Sequence, residues 1–266
     1  MYLNDTWEWD GYTWTQWTGP QGPFGRAEHA MATLGNKVVL FGGNFGDQYA
    51  VDDTWEWDES SGWTSQHPAS HPAKRDSFAM ATLGNKVVLF GGKSGTNYYD
   101  DTWEWDGSTW TQRTPATHPA ARADFGMATL NNTVVLFGGD YDNGNGHFTD
   151  TWEWDGNNWT QRTPATPPGG TYVVSMATVG SQILATDGDS TLTWDGNNWT
   201  YSKSTLQPTR LFPAMATRGG KATLFGGYLN GYFSDTWEWD GSSWAQLTPT
   251  GTIPPGRNSS AMTSVP

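Results

Sequence analysis

Asp53-Thr54-Trp55-Glu56-Trp57-Asp58 is one of five identical hexapeptides in the chain; the others stand at 5–10, 101–106, 150–155 and 235–240. A decayed sixth copy, Ser190-Thr191-Leu192-Thr193-Trp194-Asp195, fills the widest interval between them. Self-similarity at a period of roughly forty to fifty residues marks stacked supersecondary units that bury their faces on one another. The chain is therefore a repeat protein.

Outward from this copy, four short segments recur. Arg26 opens the first, which ends in Met31-Ala32-Thr33-Leu34 and turns at Gly35-Asn36. Lys37-Val38-Val39-Leu40-Phe41 is a continuous apolar run, the pattern of a strand buried on both faces. Gly42-Gly43 ends it, and a polar loop, 44–52, leads into the hexapeptide. Strand alternation there puts Trp55 and Trp57 on one face and Thr54 and Glu56 on the other. Trp63-Thr64 begins the fourth segment. An Asp-Gly pair followed by two small polar residues and Trp, as in Asp106-Gly107-Ser108-Thr109-Trp110, signals a tight hairpin. Segments three and four are thus expected to be antiparallel neighbours. Pro-rich stretches such as 67–72 and 114–119 are expected to carry the chain from the outer edge of one unit to the inner edge of the next.

The 266 residues carry 14 Lys and Arg against 27 Asp and Glu, a formal charge of −13. Such a field opposes phosphate backbones and anionic membrane surfaces, so nucleic acid is not an expected partner. No apolar run approaches the ~20 residues of a membrane span, and Met1-Tyr2-Leu3 is not the charged start of a signal peptide, so no membrane insertion is expected. Absence of cysteine excludes disulfides and thiolate metal sites. The Trp- and Thr-rich, Lys-poor composition leans toward an extracytoplasmic or secreted address without fixing one.

A four-stranded unit repeated about an axis, each face buried on a neighbour, is a β-propeller. The Gly-Gly pair after segment two, the aromatic before it and the Trp opening segment four resemble the kelch repeat, in the bacterial branch similar to the galactose oxidase central domain. The expected architecture is all-β, a six-bladed kelch-like β-propeller of four-stranded antiparallel blades forming one domain over 1–266. Its blades are expected at 24–66, 73–113, 120–162, 169–203 and 208–248. The closing blade is expected from 1–17 plus 257–266, shared by both termini as the resemblance implies, and lacking its second strand. A strand lying beyond Pro266 is the favoured explanation. The alternative is a gap whose two unpaired edges another chain fills by strand addition, giving an oligomer.

Arg26, Arg75, Arg122, Arg210 and Arg257 each stand five residues before the Met of a first segment, with Thr171 as the exception. If the first strand is innermost, as the resemblance implies, these arginines ring one mouth of the channel. Two roles are open: an anion site, or pairing with a carboxylate of the same repeat, since guanidinium forks bind carboxylates bidentately. The decayed copy loses Arg (Thr171), leading Asp (Ser190) and Glu (Thr193) together, which favours pairing, with the leading Asp level with the Arg. Glu8, Glu56, Glu104, Glu153 and Glu238 read as structural, because a group repeated in every blade serves the blade. The Trp pairs read as packing between blades.

Function is expected where the repeats disagree: just after each Gly-Gly and just after each Arg, positions that by resemblance line the ligand-binding mouth. The candidate ligand-binding residues are Arg26, Glu28, His29, Asn44, Arg75, Asp76, Lys93, Arg122, Asp124, Asp140, Tyr172, Asp189, Arg210, Phe212, Tyr228 and Arg257. The expected function is non-enzymatic binding of a glycan or partner protein, with no cofactor and no metal. Asp140-Tyr141-Asp142-Asn143-Gly144 starts like a calcium loop, but Gly144 and Thr151 occupy positions five and twelve, where ligands belong. Two alternatives stand beside this. One is an enzyme resembling the kelch-type sialic acid mutarotase, using Arg26, Glu28 and His29; the other is a structural propeller that assembles by strand donation.

Overall fold

The computed structural model describes residues 2–20, 22–46, 49–141, 146–169, 175–188, 190–202, 204 and 208–265. They contain strands, turns and no helix, and hence no helix long and apolar enough to cross a membrane. In the first complete blade the strands are Ala30–Leu34, Lys37–Phe41, Thr54–Asp58 and Gly62–Gln66, hydrogen-bonded in that order and all antiparallel. Four more four-stranded sheets follow, within 79–113, 126–162, 175–201 and 214–247. We number the blades 1 to 5.

The second strand of each blade is the most buried, as its unbroken apolar run requires. Val39 and Phe41 face blade 2 and join one core with Met80, Val87, Leu89 and Trp105 of that blade. Val38 and Leu40 face the other way, packing with Trp57 and Trp63. Equivalent cores join blades 2 and 3, 3 and 4, and 4 and 5. The second Trp of the hexapeptide lies directly across from the Trp of strand four, as in Trp105 and Trp110, whose ring centroids are 5.4 Å apart. The hairpin between them closes as expected: Asp106 Oδ1 accepts the amides of Ser108 and Thr109 at 2.9 and 2.8 Å.

The strand-four indole Nε1 donates to a hexapeptide Thr one unit back. These bonds run Trp110 to Thr54, Trp159 to Thr102, Trp199 to Thr151, Trp244 to Thr191, Trp14 to Thr236 and Trp63 to Thr6, all at 2.8–2.9 Å. The circuit passes through all five blades and the N-terminal unit and returns to its start.

That N-terminal unit corrects the expected blade count. Among the described residues Trp7–Trp9 pairs with Trp14–Gln16 alone, so five four-stranded blades stand beside a two-stranded N-terminal unit, not six blades. Among the described residues, 257–265 contain no strand, because no chain segment lies beside them to complete a ladder. Arg257 nonetheless holds Asp5 bidentately at 2.7 and 2.8 Å.

Candidate functional site

Arg26, Arg75, Arg122 and Arg210 are buried struts, and Arg257 is a half-buried one. Each guanidinium grips the leading Asp of its hexapeptide through two bonds of 2.6–2.9 Å: Arg26 to Asp53, Arg75 to Asp101, Arg122 to Asp150, Arg210 to Asp235, and Arg257 to Asp5. Each Nε donates to the carbonyl two residues earlier, and in all but Arg257 Nη1 also reaches the first Gly of the Gly-Gly pair. Arg75 and Arg122 are wholly inaccessible. The first hexapeptide Trp donates its Nε1 to the same Asp, as Trp103 does to Asp101 at 2.7 Å. Burial alone would raise the Asp101 pKa, but the hydrogen bonds and charge of Arg75, with the Trp103 bond, outweigh it and hold the carboxyl below its ordinary value. Of the arginines expected among the ligand-binding residues, Arg26, Arg75, Arg122 and Arg210 therefore sit buried in their blades, and all five are paired with aspartate.

An aromatic two residues before the Asp covers the guanidinium: Tyr99 at 4.3 Å from Arg75, Phe148 at 3.9 Å from Arg122, Phe233 at 4.5 Å from Arg210. Sequence reasoning missed these residues, although their fixed offset from Asp was visible. Glu56 and Glu104 are likewise structural. Each binds a second-strand lysine, Lys37 or Lys86, at 2.7 Å and accepts the indole of the next blade, Trp105 at 3.1 Å or Trp154 at 3.3 Å.

The two variable sets meet in pairs. Reciprocal backbone bonds join Ala27 to Asn44, Asp76 to Lys93, Ala123 to Asp140 and Leu211 to Tyr228. The residue two past each Arg takes a left-handed conformation: Glu28, Ser77, Asp124, Phe212 and Ser259, φ 50–57°. Their peptides link around the mouth, Asp124 N to Ser77 O, Ser77 N to Glu28 O, Glu28 N to Ser259 O and Ser259 N to Phe212 O, at 2.9–3.0 Å. Non-glycine residues adopt this backbone at a cost, and here their own amides and carbonyls make the ring of bonds.

On the side of blades 1 to 3 this geometry gathers Glu28, Asp76, Asp124 and Asp140 around a single ammonium, Lys93. Lys93 Nζ lies 3.8 Å from Asp124 Oδ2. Glu28 Oε2 accepts Asn44 Nδ2 at 2.6 Å and Ser77 Oγ at 3.3 Å, and Tyr98 donates to Asp140 at 3.3 Å. Asp76 is 8% exposed, and its Oδ1 has no hydrogen-bond partner among the described residues. Burial pushes the Asp124 pKa up to about 7; Lys93 pulls it down, and Glu28 and Asp140 push it up again. Asp76 is also raised, first by burial and then by Glu28. The cluster is short of positive charge.

Across the mouth, blade 5 presents Phe212 and the exposed Tyr228, whose ring centroid lies 5.3 Å from that of Tyr232. Tyr172 and Asp189, and the calcium-like residues 142–144, fall outside the described residues. Among the described residues no group of three or more His, Asp or Glu is arranged to hold a metal. Of the trio Arg26, Glu28 and His29, Arg26 is paired with Asp53, and burial with the Arg26 charge lowers the His29 pKa to about 3.

Radial four-stranded blades, Gly-Gly turns crossed by the next blade's backbone, and a variable mouth define a β-propeller of the kelch type. A family model, the KLHDC2/KLHL20/DRC7 Kelch-repeats domain, matches residues 1–188, and the chain belongs to the kelch-repeat family. Comparison with curated proteins returns no match.

Proposed function

We propose that this kelch propeller is a protein-interaction module that takes a basic side chain of its partner at the acidic sector of the channel mouth. Kelch propellers generally mediate protein interactions. The observation carrying the finer reading is the set of four carboxylates from three blades sharing one lysine, with the buried Asp76 Oδ1 still unbonded. An incoming guanidinium or ammonium would supply donors to Asp76 and Glu28 and lower the cost of ionising Asp124. Phe212, Tyr228 and Tyr232 offer an apolar wall for the residues flanking that cation. The glycan ligand, and with it the galactose-oxidase-like branch, rests on the sequence resemblance alone and is the less supported choice.

The test is fluorescence anisotropy with peptides that present one Arg or Lys in a neutral Gly/Ser context, set beside a glycan array. Basic peptides are expected to bind, to weaken with salt, and to lose about tenfold in affinity on Asp76→Asn. Glycan binding without peptide binding, or peptide affinity indifferent to Asp76→Asn, would refute the assignment.

A further inference from the structure

Lys37, Lys86 and Lys221 each hold a glutamate of their own blade at 2.6–2.7 Å, with 40–48% of the side chain exposed. Lys93 is different. Only 23% of its side chain is exposed, yet its Nζ stops 3.8 Å from Asp124 Oδ2, too far for a hydrogen bond, and 5.9 Å from the centre of the Tyr98 ring. Burial alone would lower the Lys93 pKa, but Asp124, Tyr98, Asp140 and Glu28 together outweigh it and hold the pKa above its ordinary value. The field of carboxylates from three blades, rather than one short bond, keeps this ammonium in place.

The backbone sets Lys93 beside a second acceptor. Asp76 and Lys93 exchange both main-chain bonds at 2.9 Å, and side chains of such an antiparallel pair stand on one face, about 5 Å apart at Cβ. Lys93 nevertheless leans to Asp124 of the next blade, while Asp76 Oδ1 stays buried and without a hydrogen-bond partner among the described residues. Burial and then Glu28 raise the Asp76 pKa, and the Lys93 charge pulls it back only in part. The ammonium is thus near enough to oppose a second cation at Asp76 without bonding Asp76 Oδ1 itself.

Taking the mouth as the place of a partner's cation, as proposed above, we infer that Lys93 is a built-in competitor that makes the site select arginine over lysine. Lys93 withdraws onto Asp124 and Asp140 when the partner's cation takes Asp76 and Glu28. Tyr98, paired with Lys93 across its hairpin and bonded to Asp140 at 3.3 Å, offers its ring face to the withdrawn ammonium. A lysine of the partner gains little by this exchange, because one compact point charge takes ground from another. A guanidinium gains more. Its five N–H donors lie in a rigid planar fork, so it can bond Asp76 Oδ1 and Glu28 together.

Anisotropy titrations of two labelled peptides, alike but for a single Arg or Lys in a Gly/Ser context, test this on the whole chain, Lys93→Gln and Lys93→Arg. Lys74→Gln, at an exposed position, is the charge control. The parent should hold the Arg peptide about tenfold more tightly than the Lys peptide. Lys93→Gln should tighten the Lys peptide about tenfold and the Arg peptide less, so that the preference shrinks, whereas Lys93→Arg, whose own fork clasps the carboxylates, should weaken both about tenfold. Lys74→Gln removes the same charge and should shift either affinity by less than about twofold. Binding by Lys93→Gln no tighter than by the parent, an equal gain in Lys74→Gln, or parent-like binding by Lys93→Arg would overturn the inference and leave the mouth assignment standing. If neither peptide binds the parent or Lys93→Gln, that assignment falls and the inference with it; binding by Lys93→Gln alone upholds both. Melting curves show which variants are folded, and if Lys93→Gln is not, the Lys93→Arg comparison decides.

Discussion

The leading aspartate of the hexapeptide ties together its blade's arginine and first tryptophan. Asp101 neutralises an arginine with no solvent access and receives an indole N–H as well. Replacing it by Asn leaves Arg75 buried without a counter-charge, and the expected loss is about 3 kcal/mol of unfolding free energy by urea denaturation. Because Asp5, Asp53, Asp101, Asp150 and Asp235 are all held below the usual carboxylate range, their contribution is fully present above about pH 4 and is lost as pH falls through the folded values. Urea midpoints between pH 5 and 3 should therefore fall, and less steeply for Asp101→Asn. Asp124 has the opposite sign. With its pKa raised to about 7, the folded state keeps a proton the unfolded chain gives up, so ionisation costs stability as pH rises from about 4 through 7. Asp124→Asn should be more stable than the parent at pH 8, and affinity for a basic peptide should rise between pH 6 and 8 in the parent but not in the variant.

At the scale of the element, the Gly-Gly turn and the strand-four Trp join blade to blade. Gly92 has φ +88°, and a Cβ there would lie 2.6 Å from the carbonyl oxygen of Asp76, a backbone atom held in the Asp76 to Lys93 bridge. Gly92→Ala should cost about 2 kcal/mol and disturb the acidic sector, seen as a lower Tm together with weaker peptide binding. Trp110→Phe keeps an aromatic body in the core but removes the bond to Thr54. About 1 kcal/mol should be lost, and a double-mutant cycle with Thr54→Val should show coupling. The hairpins were legible from Asp-Gly and the spacing to Trp, because those turns are decided locally. The Gly-Gly requirement was legible as a pattern only, since its cause is the backbone of the following blade.

At the scale of the whole molecule, periodicity revealed the propeller, because each unit repeats the same burial pattern. It did not reveal the state of the N-terminal unit: a strand exists only where a partner completes its ladder, and among the described residues none lies between Trp7–Trp9 and residues 257–265. The mouth was half legible. Positions at which the repeats disagree named Glu28, Asp76, Asp124 and Asp140, but their convergence on Lys93 depends on how blades 1 to 3 are set around the axis. Tyr98 joined the cluster unseen because the small Lys93–Ser94 and Asn97–Tyr98 hairpin folds it back beside Lys93. The account thus separates a repeated clasp that holds the ring from an unrepeated cluster that we propose meets the partner. Calorimetric titration of one basic peptide against Asp124→Asn and Asp101→Asn, each with its melting curve, tests that separation most directly. Asp124→Asn should lose about tenfold in affinity without a lower Tm, and Asp101→Asn should melt earlier while its folded fraction binds like the parent. Unchanged affinity for Asp124→Asn, with binding lost instead in folded Asp101→Asn, would contradict the account.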